Sequence, residues 1–240
     1  MKVHKKILCV AGIGLLLCNA SLFAAEKTAR GIVNKAYAQI GSMDKYAFTA
    51  SVLDTETQED GTVKHYEHDV AVKVDRPGKV RIDSKGGIVN RSSYINNGLF
   101  TMIDHGFGYY GSVKTPKTID GALDFIFEKF GINPPLASLV YSDMHKRAKF
   151  RSSKYFGTME VGGVECDYVA FKSKTQEVHV WITTGEHPLV KTYSVIDTTS
   201  EPHSRIDTTL KWDTDPSISE SDFLFRAPKG VSEIAITNAN

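Results

Sequence analysis

Cysteine is scarce in this chain. There are three in 240 residues, and two of them, Cys9 and Cys18, fall within the first 18. Cys166 is the only other, so residues 25–240 can form no internal disulfide and must be held by packing. Charge of one sign is also lacking. Three of the 29 basic residues and none of the 28 acidic ones lie in the first 24, so the rest of the chain is slightly acidic. That argues against a nucleic-acid partner, which would want a basic stripe. After the N-terminus no apolar run is long enough to cross a bilayer, so no stable membrane anchor is expected. The chain has no G-x-S-x-G elbow, no H-E-x-x-H and no glycine-rich phosphate loop. We therefore expect neither an enzyme nor a cofactor.

What is present begins with MKVHKKILCVAGIGLLLCNASLFAA. Lys2, Lys5 and Lys6 form a positive start, Ile7 to Leu17 an apolar stretch, and Ser21 to Ala25 a small-residue cleavage site with Ala24 before the cut. These are the three parts of a secretory signal peptide. Residues 1–24 are expected to be removed, leaving 25–240 as a single exported domain. Lipid attachment at Cys18 is disfavoured by the bulk of Leu17 before it.

Residues 26–41 carry Ile32, Val33, Ala36, Tyr37 and Ile40 at helical spacing, and Gly41 is a stop. Alternating strands follow, such as Tyr46, Phe48, Ala50 and Val52, then Val70, Val72 and Val74. Gly86-Gly87, Asn96-Asn97-Gly98 and Asp104-His105-Gly106 are short turns, which imply antiparallel neighbours. The period then changes. Thr118 caps a predicted helix ending at Gly131, with Ile119, Leu123, Phe125, Ile126, Phe127 and Phe130 along it. Asn133-Pro134-Pro135 breaks the chain, and Leu136 to Tyr141 suggests a second short helix. About five more strands complete the pattern, and a closing segment holds Phe223, Leu224 and Phe225. The expected fold is mainly β (α+β): a large curved antiparallel sheet forming an incomplete barrel. The N-terminal helix and a helical insert cover its mouth.

Titratable clusters read as structural. His65 and His68, three apart on a strand, point to opposite faces and do not converge on a metal. Asp213 and Asp215, before Pro216, suit a turn. Cys166 alternates with Val164, Tyr168 and Ala170 and should share their face as an inert buried thiol.

Four stretches resemble a family of predicted periplasmic bacterial proteins related to the outer-membrane lipoprotein carriers. They are VAVKVDRPGKVRID (70–83), residues 96–140 from NNGLFTMIDHGF to NPPLASLV, residues 161–196 from VGGVECDYVAF to VKTYSVI, and LKWDTDPSISESDFLFRAPKG (210–230). The carrier fold is an unclosed antiparallel half-barrel with a helical lid. The resemblance implies a hydrophobic ligand such as an acyl chain or a lipoprotein. The same half-barrel could instead serve as a protein-interaction or envelope-stress sensor module with an envelope protein partner. The candidate cavity lining is Phe48, Val72, Phe100, Met102, Phe125, Phe130 and Trp181.

Overall fold

The computed structural model describes residues 27–238, except residues 59 and 200; the expected signal peptide, residues 1–24, lies outside the described residues. Helix α1 (Ala29–Ser42) begins at Thr28, whose hydroxyl accepts a hydrogen bond from the Gly31 N–H at 3.1 Å. It buries Ala29, Val33, Ala36 and Ile40, a stripe at helical spacing. Six strands follow as expected: β1 (Lys45–Thr57), β2 (Val63–Asp75), β3 (Lys79–Gly86), β4 (Val89–Asn96), β5 (Leu99–Asp104) and β6 (Tyr109–Lys114). Helix α2 (Ile119–Phe130) is capped by the Thr118 hydroxyl and stops at Gly131, which adopts φ 64°.

The insert departs from expectation. Residues 136–141 form only a 3-10 turn, Ala137–Leu139, and a four-residue helix α3 (Met144–Arg147) follows it. Five strands then complete the second half: β7 (Ser152–Val161), β8 (Val164–Lys172), β9 (Gln176–Thr183), β10 (Val190–Asp197) and β11 (Arg205–Asp213). The closing segment is a 3-10 turn, Glu220–Phe223, and a two-residue strand β12 (Ser232–Glu233), which the sequence reading did not anticipate.

All twelve strands belong to one open sheet, in the order β12-β6-β5-β4-β3-β2-β1-β11-β10-β9-β8-β7. Every described pairing is antiparallel except β12 with β6. Two-residue turns impose this. Asn97 and Gly98 between β4 and β5 have φ 48° and 103°, and Gly162 and Gly163 between β7 and β8 have φ 57° and 77°. The central hairpin β1–β2 opposes β11 across Phe48↔Trp212, which joins the two halves of the chain.

The helices lie on the inner face of the sheet. Tyr46, Phe48, Ala50 and Val52 of β1 alternate inward there with Val70, Val72 and Val74 of β2, and all are buried. From above come Ile119, Ala122, Leu123 and Ile126 of α2 and the insert residues Leu139 and Val140. Each large apolar side chain buried here contributes about 1.5–3 kcal/mol of transfer free energy. The outer face is crossed by the segment after β11, which forms a strap. Phe223 is fully buried, and Phe225 packs its ring 5.6 Å from Tyr94 and 4.9 Å from Tyr110.

Candidate functional site

The centre of the inner face, where a single cavity was expected, is packed solid. Trp212 sits 4.7 Å from Phe48 and 6.0 Å from Tyr46 between ring centroids, and its indole N–H donates to the Val190 carbonyl at 2.7 Å. The Tyr46 hydroxyl donates to the Leu139 carbonyl at 2.8 Å, tying sheet to insert. Of the expected lining, Phe48, Val72 and Phe100 are almost fully buried within this core. Phe125 and Phe130 pack edge to face at 5.9 Å against it, half-buried, and border neither of the two cavities described below. Met102 borders the second of them.

Trp181 needs correction. Val178, Val180 and Ile182 face inward, so strict alternation turns Trp181 to the outer face. There it stacks on Tyr168 at 4.6 Å and 2°, and Tyr168 stacks on Phe156 at 4.5 Å and 20°. The Trp181 indole N–H points at the Met159 sulfur, 2.9 Å away. Cys166 shares its face with Tyr168 and is fully buried, as expected; that face is the outer one, where it lies in register with Met159. Burial pushes its thiol pKa up, with Lys191 pulling weakly the other way.

Open space on the inner side lies toward the two arms of the sheet. On the β8–β10 arm a cavity of about 280 Å³ sits beneath α1 and the insert. Phe171, Val178, Val180 and Val190 form its sheet wall, and Val33 of α1 and Phe150 close it. The Phe150 and Phe171 rings are 4.1 Å apart, and the Phe150 carbonyl accepts from the Arg30 guanidinium at 2.6 Å. Four polar side chains, Tyr37, Ser138, Gln176 and Tyr193, break the apolar lining. Burial, aided by Tyr193, pushes the Tyr37 phenol up to about 12, with the Ser138 hydroxyl opposing; burial raises Tyr193 too. Both phenols are neutral at any physiological pH. The cavity thus offers hydrocarbon contact, uncharged hydroxyls and the neutral amide of Gln176.

The roof is latched rather than loose. The Arg147 guanidinium donates to both carboxylate oxygens of Asp124, at 2.7 and 3.1 Å, binds Asp143, and lies 4.3 Å over the Tyr141 ring. Its pKa is raised, first by its hydrogen bond to Asp124. The Ser142 N–H donates to Asp120 at 3.0 Å, and the Ser142 hydroxyl also binds that carboxylate. Insert and α2 therefore form one lid. Sequence reasoning placed the aromatic residues of α2 at the cavity. It missed Tyr37, Phe150, Phe171 and Tyr193, although the inward parity of Val178 and Val180 was a usable signal.

No group of three or more His, Cys, Asp or Glu side chains able to hold a metal occurs among the described residues. His65 and His68 do face opposite ways: His65 meets Thr55 on the outer face at 3.2 Å, and His68 borders the second cavity. The Asp215 N–H donates to Asp213 at 3.2 Å, the expected turn.

Residues 29–237 match the family described as "Predicted periplasmic protein (DUF2092)". The chain belongs to this family. Among the described residues no helix is long and apolar enough to cross a membrane, a statement that does not bear on β-barrels. No curated protein matches this family member. It is similar in fold to an uncharacterized conserved protein from Thermus thermophilus, with TM-score 0.51 and 9% identity over 86% of this chain and 98% of that one. Weaker likenesses are to LprF from Mycobacterium bovis (TM-score 0.45, 12% identity, 85% and 97% coverage) and to the LolA superfamily protein NE2245 from Nitrosomonas europaea (TM-score 0.33, 10%, 83% and 99%). At such identities the likeness is one of fold alone.

Proposed function

We propose that the protein is a periplasmic, non-catalytic binding or carrier protein for the acyl chain of a lipid or lipoprotein, exported by a signal peptide cut before Ala25. The observation that carries this reading is the cavity beneath α1: apolar walls of Val33, Phe150, Phe171, Val178 and Val180 with the two neutral phenols of Tyr37 and Tyr193. Such a lining suits hydrocarbon and one uncharged hydrogen-bonding group, and suits a charged ligand poorly, since an unpaired charge is costly to bury. The family's description as predicted periplasmic supports the location.

Mass spectrometry of lipids extracted from protein purified from its native periplasm tests the reading. We expect acyl lipid to co-purify with the wild type and to be depleted in Val178→Trp, which fills the cavity. Absence of co-purifying lipid, together with failure to bind a fluorescent fatty-alcohol probe, would remove the carrier reading. A second reading, a protein-interaction module, draws on one specific observation: the solid packing of Tyr46, Phe48 and Trp212 where a single large cavity was expected.

A further inference from the structure

The other arm of the sheet holds a second cavity of about 360 Å³, separate from the site beneath α1. Its apolar side is Ile82 of β3 and Met102 of β5, faced by Ile132 and Pro134 just after α2. Its polar side is His68, Ser84, Arg91 and Ser93, brought together from β2, β3 and β4 by the inward parity of each strand.

The polar groups here are poorly satisfied. Ser84 is only 4% exposed, and its hydroxyl makes no hydrogen bond among the described residues. The side chains of His68 and Ser93, which are only half-buried, make no hydrogen bond among the described residues either. Buried polar groups in folded proteins are almost always paired, so an idle hydroxyl facing a cavity points to a bound molecule or water. Arg91 is half used. Its Nε donates to Asp104 at 2.8 Å, while its two terminal nitrogens have no partner among the described residues. Asp104 does not need them: its other oxygen accepts the Gly106 and Phe107 N–H groups at 3.0 Å each.

We infer that this cavity binds a medium-chain carboxylic acid. The carboxylate takes the terminal nitrogens of Arg91 and the hydroxyls of Ser84 and Ser93. The hydrocarbon lies between Ile82, Met102 and Ile132. A guanidinium with both terminal nitrogens free presents a planar fork that matches a carboxylate in two parallel hydrogen bonds. The cavity beneath α1 lacks any cation in its lining, so the two sites select different ligands. The inference stands whether or not that first site holds an acyl chain.

The test is calorimetric titration of the full-length mature protein with octanoate, octanol and octyl phosphate, with the ligands compared in the Val178→Trp background so that octanol held beneath α1 does not count. Octanoate should bind at least tenfold more tightly than octanol. Arg91→Gln should remove that preference while leaving octanol binding unchanged, and Arg91→Lys, which keeps charge but not the fork, should retain part of it. Ser84→Ala should weaken octanoate several-fold. Val178→Trp, which blocks only the site beneath α1, should leave octanoate binding at wild-type strength. A thermal melt of each variant guards against misfolding, and Arg91→Lys and Ser84→Ala remain informative if Arg91→Gln is unstable. Equal binding of octanoate and octanol, octanoate binding indifferent to Arg91→Gln, or no binding of octanoate at all would overturn the inference and leave the cavity to water. Tighter binding of octyl phosphate would overturn the carboxylate assignment.

Discussion

At the scale of single residues, Gly41 shows how little tolerance the lid has. A Cβ built on Gly41 would lie 2.1 Å from the Ser142 carbonyl oxygen, because the end of α1 presses directly on the insert. Alanine normally gains up to about 1 kcal/mol over glycine inside a helix. Overpacking costs about 1–3 kcal/mol, and here the obstacle is backbone on both sides. We therefore expect Gly41→Ala to lower the melting temperature despite its better helix propensity. A melt at or above wild type would mean that insert and helix part easily. Sequence reading makes Gly41 a helix stop, which it nearly is; the close approach to Ser142 joins residues 101 apart and leaves no local trace. Trp181 teaches the converse. Its outward placement follows from its own neighbours Val180 and Ile182, since successive strand residues alternate faces, and parity outranks the expectation that a large aromatic belongs inside.

At the scale of elements, the strap after β11 is held by charge as well as by Phe223 and Phe225. The Asp222 carboxylate pairs with Lys73 of β2 and accepts the Ser219 N–H at 2.8 Å; Arg81 of β3 donates to the Asp222 carbonyl at 3.5 Å. Lys73, and next the Ser219 N–H, pull the Asp222 pKa from the ordinary 3.8 down to about 2. A carboxyl depressed in the folded state contributes stability that is fully present above its unfolded pKa and is lost as pH falls through the folded one. The strap should accordingly loosen between pH 4 and pH 2, seen as a fall in the amide protection factors of residues 219–225 before those of the central strands. Asp222→Asn should already show low protection there at pH 7 and little further change on acidification. Strap protection that is flat from pH 5 to pH 2 in the wild type would count against the ion pair as its anchor.

At the scale of the whole molecule, the end of the chain covers one side of the open sheet. β12 pairs with β6 through Ser232↔Tyr109 and Glu233↔Tyr110 and covers its edge. Ile236 beyond it packs against the core beside Gly111, where a Cβ would meet it at 2.7 Å. On the outer face Thr101 and Ile103, in register with Tyr94 and Tyr110, are 2% and 1% exposed. Removing residues 217–240 would uncover both this apolar face and the β6 edge, which is a template for pairing with another chain. We expect such a truncation to bind a hydrophobic dye and to elute as oligomers or aggregate on size exclusion, while its far-ultraviolet spectrum stays β-rich. A monomeric, dye-negative truncation would show that the strap is dispensable to the sheet.

What the sequence determined by itself was local. Helices α1 and α2, the six and five strands on either side of the insert, the antiparallel connections, and the fate of Cys166 all rest on periodicity, caps and turns within a few residues of one another. The strand alternation also set which side chains face inward. Tertiary structure alone decided where the inner face is full and where it is hollow. Trp212 reaches Phe48 and Tyr46 only because β11, far along the chain, returns beside β1, so the centre fills and the space divides between the two arms. Likewise Phe150 and Tyr37 meet Val178 over a cavity, and Ile132 closes over the hairpin pair Ser84 and Arg91, only through contacts between distant segments. Pattern specifies a side chain's face, because that depends on its own backbone. Volume left over after packing depends on every neighbour at once, and no stretch of sequence carries it.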